Sequence, residues 1–310
     1  MTDVRRRLAG FAGLDVPVIE ITGDEPGPRL GVIAGVHGCE YASMAGARRW
    51  TAGLAATPGR RLRGTVTVVP VVNLPAFWAR SPFVVPEDGK NLNRCFPGSP
   101  DGTLAERLAF AVFEQVITGS DAFVDAHAGD LVEALEPFAM YDGGPAEATA
   151  RGLATAYGLR YVVRQPPGPG QVVAGSSSGA AAVAGVPAIT AEAGGCGLVT
   201  EDAVAAHVRG LDRVLRYLDM CPGDVAAAGP TPPGYLNGFV WPRTPSAGWW
   251  EPAVRVGETV SAGQVLGTVS TLDGGAVLET FTAPAGGVVL FVTSSPAVAA
   301  DGLLLGLGTA

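Results

Sequence analysis

Apolar runs rich in β-branched residues alternate with longer, helix-like stretches through residues 16–218 of the chain. Short apolar runs bounded by turn residues are typical of buried strands. The predicted strands are residues 16–21, 30–34, 65–72, 122–126, 138–141, 161–163 and 188–191. The predicted helices are residues 41–56, 103–117 and 145–157, and an amphipathic helix that Thr200 caps. This alternation predicts an α/β layered domain with a largely parallel or mixed sheet.

The pattern changes after residue 223. Residues 224–234 are rich in Ala, Pro and Gly and have no periodicity, which is typical of a linker. Short strand patterns at 253–256, 265–269 and 288–292 then alternate with glycine turns. We therefore predict two domains, an α/β domain over residues 1–226 and a small all-β domain over residues 227–310. The second resembles a lipoyl-type barrel, but it has no lysine to carry a cofactor, so carrier function is excluded.

One long segment, residues 76–100, shows neither strand nor helix periodicity. Long irregular segments inside a compact domain are usually functional or disordered. This one carries Arg80 and the polar run Asp-Gly-Lys-Asn-Leu-Asn-Arg at residues 88–94. We therefore predict that it contributes residues to a functional site.

Charge and composition exclude several classes of protein. The net charge is −8, and no basic patch of the size that nucleic-acid backbones require is present. The N-terminus lacks the apolar core of a signal peptide, and no apolar run reaches the length of a membrane span. We expect a soluble, cytoplasmic protein that binds neither nucleic acid nor membrane. The cysteines have no Cys-x-x-Cys spacing, and the roles of Cys39, Cys95 and Cys196 stay open.

Two histidines and a glutamate follow predicted strand ends. His37 and Glu40 lie in a glycine-flanked turn after one strand, and His127 ends another. The carboxyl ends of strands in α/β sheets line the usual ligand crevice, so these side chains can meet at one edge. A His₂Glu set with an open fourth position is the arrangement of a catalytic zinc site. We predict one Zn²⁺ per chain at these residues.

Other polar residues supply the remaining parts of a hydrolytic site. Glu192 follows an apolar strand and precedes glycines, so its carboxylate could act as a general base. Arg80 is a candidate to stabilise negative charge on a substrate oxygen. Asn93 and Arg94 offer an amide and a planar guanidinium, which suit a substrate carboxylate.

Four motifs occur in order: His-Gly-Cys-Glu at 37–40, Asn-Leu-Asn-Arg-Cys-Phe-Pro-Gly at 91–98, Asp-Ala-His-Ala-Gly-Asp at 125–130 and Ala-Ile-Thr-Ala-Glu-Ala-Gly-Gly at 188–195. They resemble the succinylglutamate desuccinylase/aspartoacylase family, relatives of the zinc carboxypeptidases. The resemblance implies a mixed-sheet α/β/α catalytic domain with a β domain after it. It assigns zinc binding to His37, Glu40 and His127, and general-base catalysis to Glu192. It assigns polarisation of the substrate carbonyl to Arg80 and carboxylate binding to Asn93 and Arg94. It also implies that Asn91 orients His37.

Two residues depart from the family pattern. Cys39 stands where an acidic residue is common, although no ligand is lost. Ser178 ends the run Gly-Ser-Ser-Ser at 175–178, where many relatives have arginine. We place Ser178 in the substrate site, and we expect acidic substrates such as N-acetylaspartate and N-succinylglutamate to be poor.

The sequence predicts a zinc-dependent amidohydrolase that removes an acyl group from an N-acyl amino acid or a related small amine. A metallocarboxypeptidase that cleaves short peptides is an alternative, since Arg94 could equally hold a peptide C-terminus. A non-catalytic small-molecule binding protein is another. The acyl group, the amine and the oligomeric state stay open.

Overall fold

A nine-stranded mixed sheet forms the larger part of the computed structural model, which describes residues 3–56, 61–166, 174–223 and 233–309. The first ten strands are β1 Asp3–Phe11, β2 Leu14–Thr22, β3 Glu25–Ala34, β4 Arg63–Val69, β5 Ala122–His127, β6 Glu133–Leu135, β7 Phe138–Asp142, β8 Tyr161–Gln165, β9 Ala188–Glu192 and β10 Gly234–Leu236. All except β6 belong to this sheet, in the order β1-β2-β4-β3-β5-β9-β7-β8-β10. The central strands β4, β3, β5 and β9 are parallel to their neighbours in this order. The pairs β1–β2, β2–β4 and β9–β7 are antiparallel. The predicted mixed sheet is confirmed.

Helices cover both faces of the sheet. They are α1 Tyr41–Ala56, α2 Leu74–Ala79, α3 Leu104–Val112, α4 Glu147–Tyr157, α5 Ser177–Val183 and α6 Glu201–Tyr217. On one face α1, α4 and α6 contribute Trp50, Leu153 and Leu211 to a buried apolar cluster. On the other face α3 and α5 contribute Leu108 and Ala181 to a second cluster. Apolar side chains alternate between the two faces along the central strands, which produces the α/β/α layers.

The C-terminal residues form small antiparallel sheets. Their strands are β11 Gly238–Val240, β12 Arg243–Thr244, β13 Gly248–Pro252, β14 Thr259–Val260, β15 Val265–Ser270, β16 Val277–Thr282, β17 Gly287–Thr293, β18 Ala297–Val298, β19 Gly302–Leu303 and β20 Leu305–Thr309. Trp250 and neighbouring Val and Leu side chains form their own core. The predicted all-β character of this region is confirmed.

Two strand pairings join the C-terminal residues to the rest of the chain. Strand β10 pairs in parallel with β8 and so extends the large sheet. Strand β6 pairs with β17, where Glu133 lies opposite Thr293 and Leu135 opposite Phe291. The predicted linker falls mainly on residues 224–232, outside the described residues, and the boundary at 226 stays a prediction.

Several predicted elements need correction. The segment 76–100 is not wholly irregular, because α2 reaches into it and a 3₁₀ turn spans Leu92–Arg94. Asn73 stabilises α2 by accepting a hydrogen bond from the N–H of Ala76. The helix at 103–117 ends at Val112 and continues as a π-helical turn over Phe113–Ile117. The strand predicted at 253–256 is wrong, since β13 ends at Pro252. None of the described helices is long and apolar enough to cross a membrane.

Candidate active site

The two histidines lie at one edge of the large sheet. Strands β3 and β5 are parallel neighbours with Ala34 opposite Ala126, so the loop after β3 begins beside His127. This loop turns at Gly35, whose φ is +68°, and then carries His37 and Glu40. A Cβ at Gly38 would lie 2.3 Å from the backbone carbon of Ala76, so only glycine lets the loop pass so close to α2.

Glu40 lies between the two imidazoles. Its Oε1 is 2.6 Å from Nδ1 of His37, and its Oε2 is 2.8 Å from Nδ1 of His127. The three residues are buried, and their candidate ligand atoms all lie within 4.8 Å of one another. Two imidazole nitrogens and a carboxylate oxygen are a donor set that suits Zn²⁺. The residues therefore fit the predicted metal.

Electrostatic interactions within this set are strong. Burial alone would raise the pKa of Glu40, but the charges of His127 and His37 and their contacts with it outweigh burial. The pKa of Glu40 is therefore lowered to about 2. Burial would lower the pKa of His127, but Asp125 and Glu40 raise it well above its ordinary value. The carboxylate form that a metal ligand requires is thus favoured at Glu40.

Residues behind the histidines hold their outer ring nitrogens. Nε2 of His37 lies 3.1 Å from Oδ1 of Asn91, the contact expected from the sequence. Nε2 of His127 lies 3.0 Å from Oδ2 of Asp125, an ion-pair contact without the geometry of a hydrogen bond, and this oxygen accepts a hydrogen bond from the hydroxyl of Ser177. Sequence reasoning missed Asp125, although its position two residues before His127 on one strand places both side chains on one face. Such partners fix the orientation of metal-binding imidazoles.

A cavity of about 440 Å³ opens in front of the candidate metal ligands. The residues of the α/β part of the chain that line it include Glu192, Asn93, Arg94 and Glu133. The C-terminal segment forms another wall with Phe239, Trp241, Arg243, Phe291 and Leu303. A largely apolar cavity with a few converging polar groups is typical of a small-molecule site.

Glu192 ends β9 and is the register partner of His127 on the adjacent parallel strand β5. Its carboxyl group therefore lies beside the candidate metal ligands and lines the same cavity. Burial is the main cause that raises the pKa of Glu192 well above its ordinary value. A buried carboxyl group with a raised pKa holds a proton more readily than an exposed one, which suits a group that passes a proton between water and a leaving amine.

Asn93 and Arg94 also face the cavity. Oδ1 of Asn93 accepts a hydrogen bond of 3.0 Å from the N–H of Ser177, which fixes the amide. Nη1 of Arg94 donates to the carbonyl of Asn93 at 2.7 Å, and the guanidinium carbon lies 5.9 Å from the ring centroid of Trp241. Desolvation and the nearby charge of Arg243 lower the pKa of Arg94. No carboxylate of the described residues forms a salt bridge with Arg94, so its charge is available to a ligand.

The C-terminal wall contributes polar groups that the sequence did not reveal. The indole N–H of Trp241 is buried and has no hydrogen-bond partner in the described part of the chain. Arg243 donates to the carbonyl of Asp301 at 2.6 Å and lies 3.6 Å from its carboxylate. Neither residue belongs to a motif, and only the folded chain brings them to the site.

Glu133 is a further residue that sequence reasoning missed. It lies on β6, lines the cavity, and accepts a hydrogen bond of 3.0 Å from the N–H of Asp130 through Oε2. Burial is the main cause that raises the pKa of Glu133 to about 7.

Ser178, predicted to bind substrate, and Arg80, predicted to act in catalysis, do not line the cavity. Ser178 is fully buried on α5, where its hydroxyl donates to Asp142 at 2.9 Å and accepts from Thr190 at 3.1 Å. It does not line the cavity, so its placement in the substrate site is corrected. Arg80 follows α2 with an exposed side chain and does not line the cavity either. Its contact with a substrate carbonyl stays a prediction.

A model of the succinylglutamate desuccinylase/aspartoacylase catalytic domain matches residues 26–218. The chain therefore belongs to the succinylglutamate desuccinylase/aspartoacylase family, as the four motifs indicated. It is 29% identical over 267 residues to the N-alpha-acetyl-L-2,4-diaminobutyric acid deacetylase of Halomonas elongata. That alignment covers 84% of this chain and 75% of the relative.

Solved structures show the same fold. The product-bound ectoine utilization protein EutE (DoeB) from Ruegeria pomeroyi is 25% identical, with a TM-score of 0.82 over 96% of this chain and 90% of that one. A succinylglutamate desuccinylase/aspartoacylase from Rhodobacter sphaeroides is 23% identical, with a TM-score of 0.81 over 99% and 94% of the two chains. Its likeness confirms the fold class predicted from the sequence.

Proposed function

We propose that the protein is a zinc-dependent amidohydrolase that removes the acyl group from an N-acyl amino acid or a related small amine. The observation that carries this proposal is that His37, Glu40 and His127 face the same cavity as Glu192 and Arg94. The deacetylase relative, whose name gives an N-acetylated diamino acid as its substrate, supports this reaction class.

Each group in the cavity has a part in this reaction. Zinc held by His37, Glu40 and His127 would act as a Lewis acid toward the acyl carbonyl and would activate water. The carboxylate of Glu192 takes a proton from the attacking water and passes it to the nitrogen of the departing amine. Arg94 binds the substrate carboxylate through its planar guanidinium, and the amide of Asn93 adds a hydrogen bond.

The apolar wall of the cavity supports this chemistry. Phe239, Phe291 and Leu303 limit the water around the charged groups, and electrostatic interactions strengthen where water is excluded. The unpartnered indole N–H of Trp241 offers a donor to a polar substrate atom.

Substrate profiling of the zinc-loaded protein tests the proposal. We expect hydrolysis of N-acetyl amino acids with release of acetate and free amine, and little cleavage of short peptides with a blocked N-terminus. Faster cleavage of those peptides would identify a carboxypeptidase instead. Absence of hydrolysis with either set would leave a binding protein.

A further inference from the structure

Glu133 brings a carboxylate to the cavity that the proposed reaction does not use. Its Oε2 accepts a hydrogen bond of 3.0 Å from the N–H of Asp130, which leaves Oε1 for another partner. No arginine, lysine or histidine forms a salt bridge with it in the described ranges. The residue is half-buried and lines the cavity, so a carboxyl group without a salt-bridge partner faces any bound ligand.

The other carboxylates near the metal ligands are already engaged. Both oxygens of Glu40 contact imidazole nitrogens, and Oε2 also accepts from the N–H of Ala128 at 3.1 Å. Glu192 lies beside His127 and is the candidate base. Among these cavity carboxylates, Glu133 is the one without a cation and without a part in the chemistry.

The two arginines of the cavity do not pair with Glu133. Arg94 and Arg243 are close enough for the charge of Arg243 to lower the pKa of Arg94, and neither forms a salt bridge with Glu133. Pairing of β6 with β17 instead places Glu133 opposite Thr293, another residue of the cavity wall. The cavity therefore offers two guanidinium groups and a carboxyl group that does not pair with either of them.

We propose that Glu133 binds a second, positively charged amino group of the substrate, so that the preferred substrates are Nα-acyl derivatives of diamino acids. This assignment rests on the proposed function, in which Arg94 binds the α-carboxylate. An ammonium that reaches Glu133 gains a charge-assisted hydrogen bond. An analogue without it leaves the carboxylate unpaired in a half-buried site, which is the situation in which enzymes reject analogues most strongly.

A matched pair of substrates isolates this interaction. Nα-acetyl-2,4-diaminobutyrate and Nα-acetylnorvaline have side chains of nearly equal size, with an ammonium in one and a methyl group in the other. We expect the wild-type kcat/KM to be at least about tenfold higher for the diaminobutyrate derivative. Glu133→Gln should reduce this ratio to about one. Glu136→Gln is the matched control, because Glu136 follows on the same segment, pairs with Arg160 and does not line the cavity.

A wild-type ratio near or below one would overturn the assignment, whether or not the variant folds. An unchanged ratio in a folded Glu133→Gln protein would do the same. If neither acetyl compound is hydrolysed, the proposed function fails, and calorimetry with free 2,4-diaminobutyrate and norvaline tests Glu133 separately. Tighter binding of diaminobutyrate that is lost in Glu133→Gln supports the assignment, and equal binding of both, or of neither, contradicts it.

Discussion

The backbone N–H of Ser177 donates a hydrogen bond of 3.0 Å to the side-chain oxygen of Asn93. The hydroxyl of the same serine binds Asp125, and Asp125 lies 3.0 Å from Nε2 of His127. The N-terminus of α5 thus connects a candidate carboxylate-binding residue with a candidate metal ligand. Neither end of this connection lies near the other in sequence.

Ser177→Ala should weaken the Asp125 end of this connection, because alanine lacks the hydroxyl but keeps the backbone N–H that Asn93 accepts. Asp125 already has one buried oxygen without a partner, and loss of the hydroxyl would leave the other with less support. We expect the free energy of unfolding to fall by about 1–3 kcal/mol and zinc affinity to fall by about tenfold. Chemical denaturation and competition with a chelator measure these effects. The exposed Ser261 gives a control, Ser261→Ala, and an equal response in both variants would refute the argument.

Metal content tests the candidate ligands directly. We expect one Zn²⁺ per chain in the wild-type protein and a large loss of zinc in His37→Ala and His127→Ala, because a catalytic zinc site has only three protein ligands. Elemental analysis after removal of free metal gives the stoichiometry. His207→Gln is a control, since His207 is buried against Tyr157 and the carbonyl of Ala193 and is not in the ligand set. Zinc retained in both ligand variants would contradict the assignment.

Glu192→Gln should separate a base from a ligand. The amide is of similar size but does not take up a proton, so turnover should fall by a factor on the order of 10² or more. Zinc content should stay at the wild-type value. Loss of zinc would show that Glu192 is a ligand, and unchanged turnover would show that it is neither ligand nor base.

Arg94→Lys keeps the positive charge but removes the planar guanidinium group. Because lysine cannot form two parallel hydrogen bonds with a carboxylate, kcat/KM for N-acetyl amino acids should fall by about tenfold or more. The exposed Arg63 provides the control substitution, Arg63→Lys. The prediction is wrong if Arg94→Lys retains full kcat/KM.

Acidic and neutral substrates should differ in rate. The arginines that line the cavity are Arg94, which the proposed function assigns to the α-carboxylate, and Arg243, which is partly compensated by Asp301. We therefore expect N-acyl derivatives of neutral amino acids to have higher kcat/KM than N-acetylaspartate or N-succinylglutamate. Measurements side by side on the zinc-loaded protein decide this. If kcat/KM is tenfold or more higher for the acidic substrates, the prediction is wrong. A loss of that preference in Arg243→Gln would then show that Arg243 supplies the positive charge.

The candidate metal ligands and the candidate base could be predicted from the sequence, because each lies in a short motif after an apolar strand. His37, Glu40, His127 and Glu192 are fixed by strand ends that neighbour each other in the sheet. The contact between Asn91 and His37 is one that the family resemblance implied, and Oδ1 of Asn91 lies 3.1 Å from Nε2 of His37.

The rest of the cavity depends on contacts between distant parts of the chain. Glu133, Trp241 and Arg243 enter it through the β6–β17 pairing and the C-terminal sheets, which no local pattern specifies. Ser178 was misplaced because the sequence did not predict α5, and the helix turns this hydroxyl toward Asp142 rather than the cavity.

Strand β6 and the wall formed by Trp241 and Arg243 also have a consequence for divergence among related enzymes. The residues that could hold the metal lie on loops after β3 and on β5, whereas much of the surrounding wall comes from the end of the chain. Replacement of residues 239–243 by those of a relative would therefore change which molecules can enter the cavity. The residues that could hold the metal would not change. Substitutions in the C-terminal segment can therefore alter the shape of the cavity without changing the residues that could hold the metal.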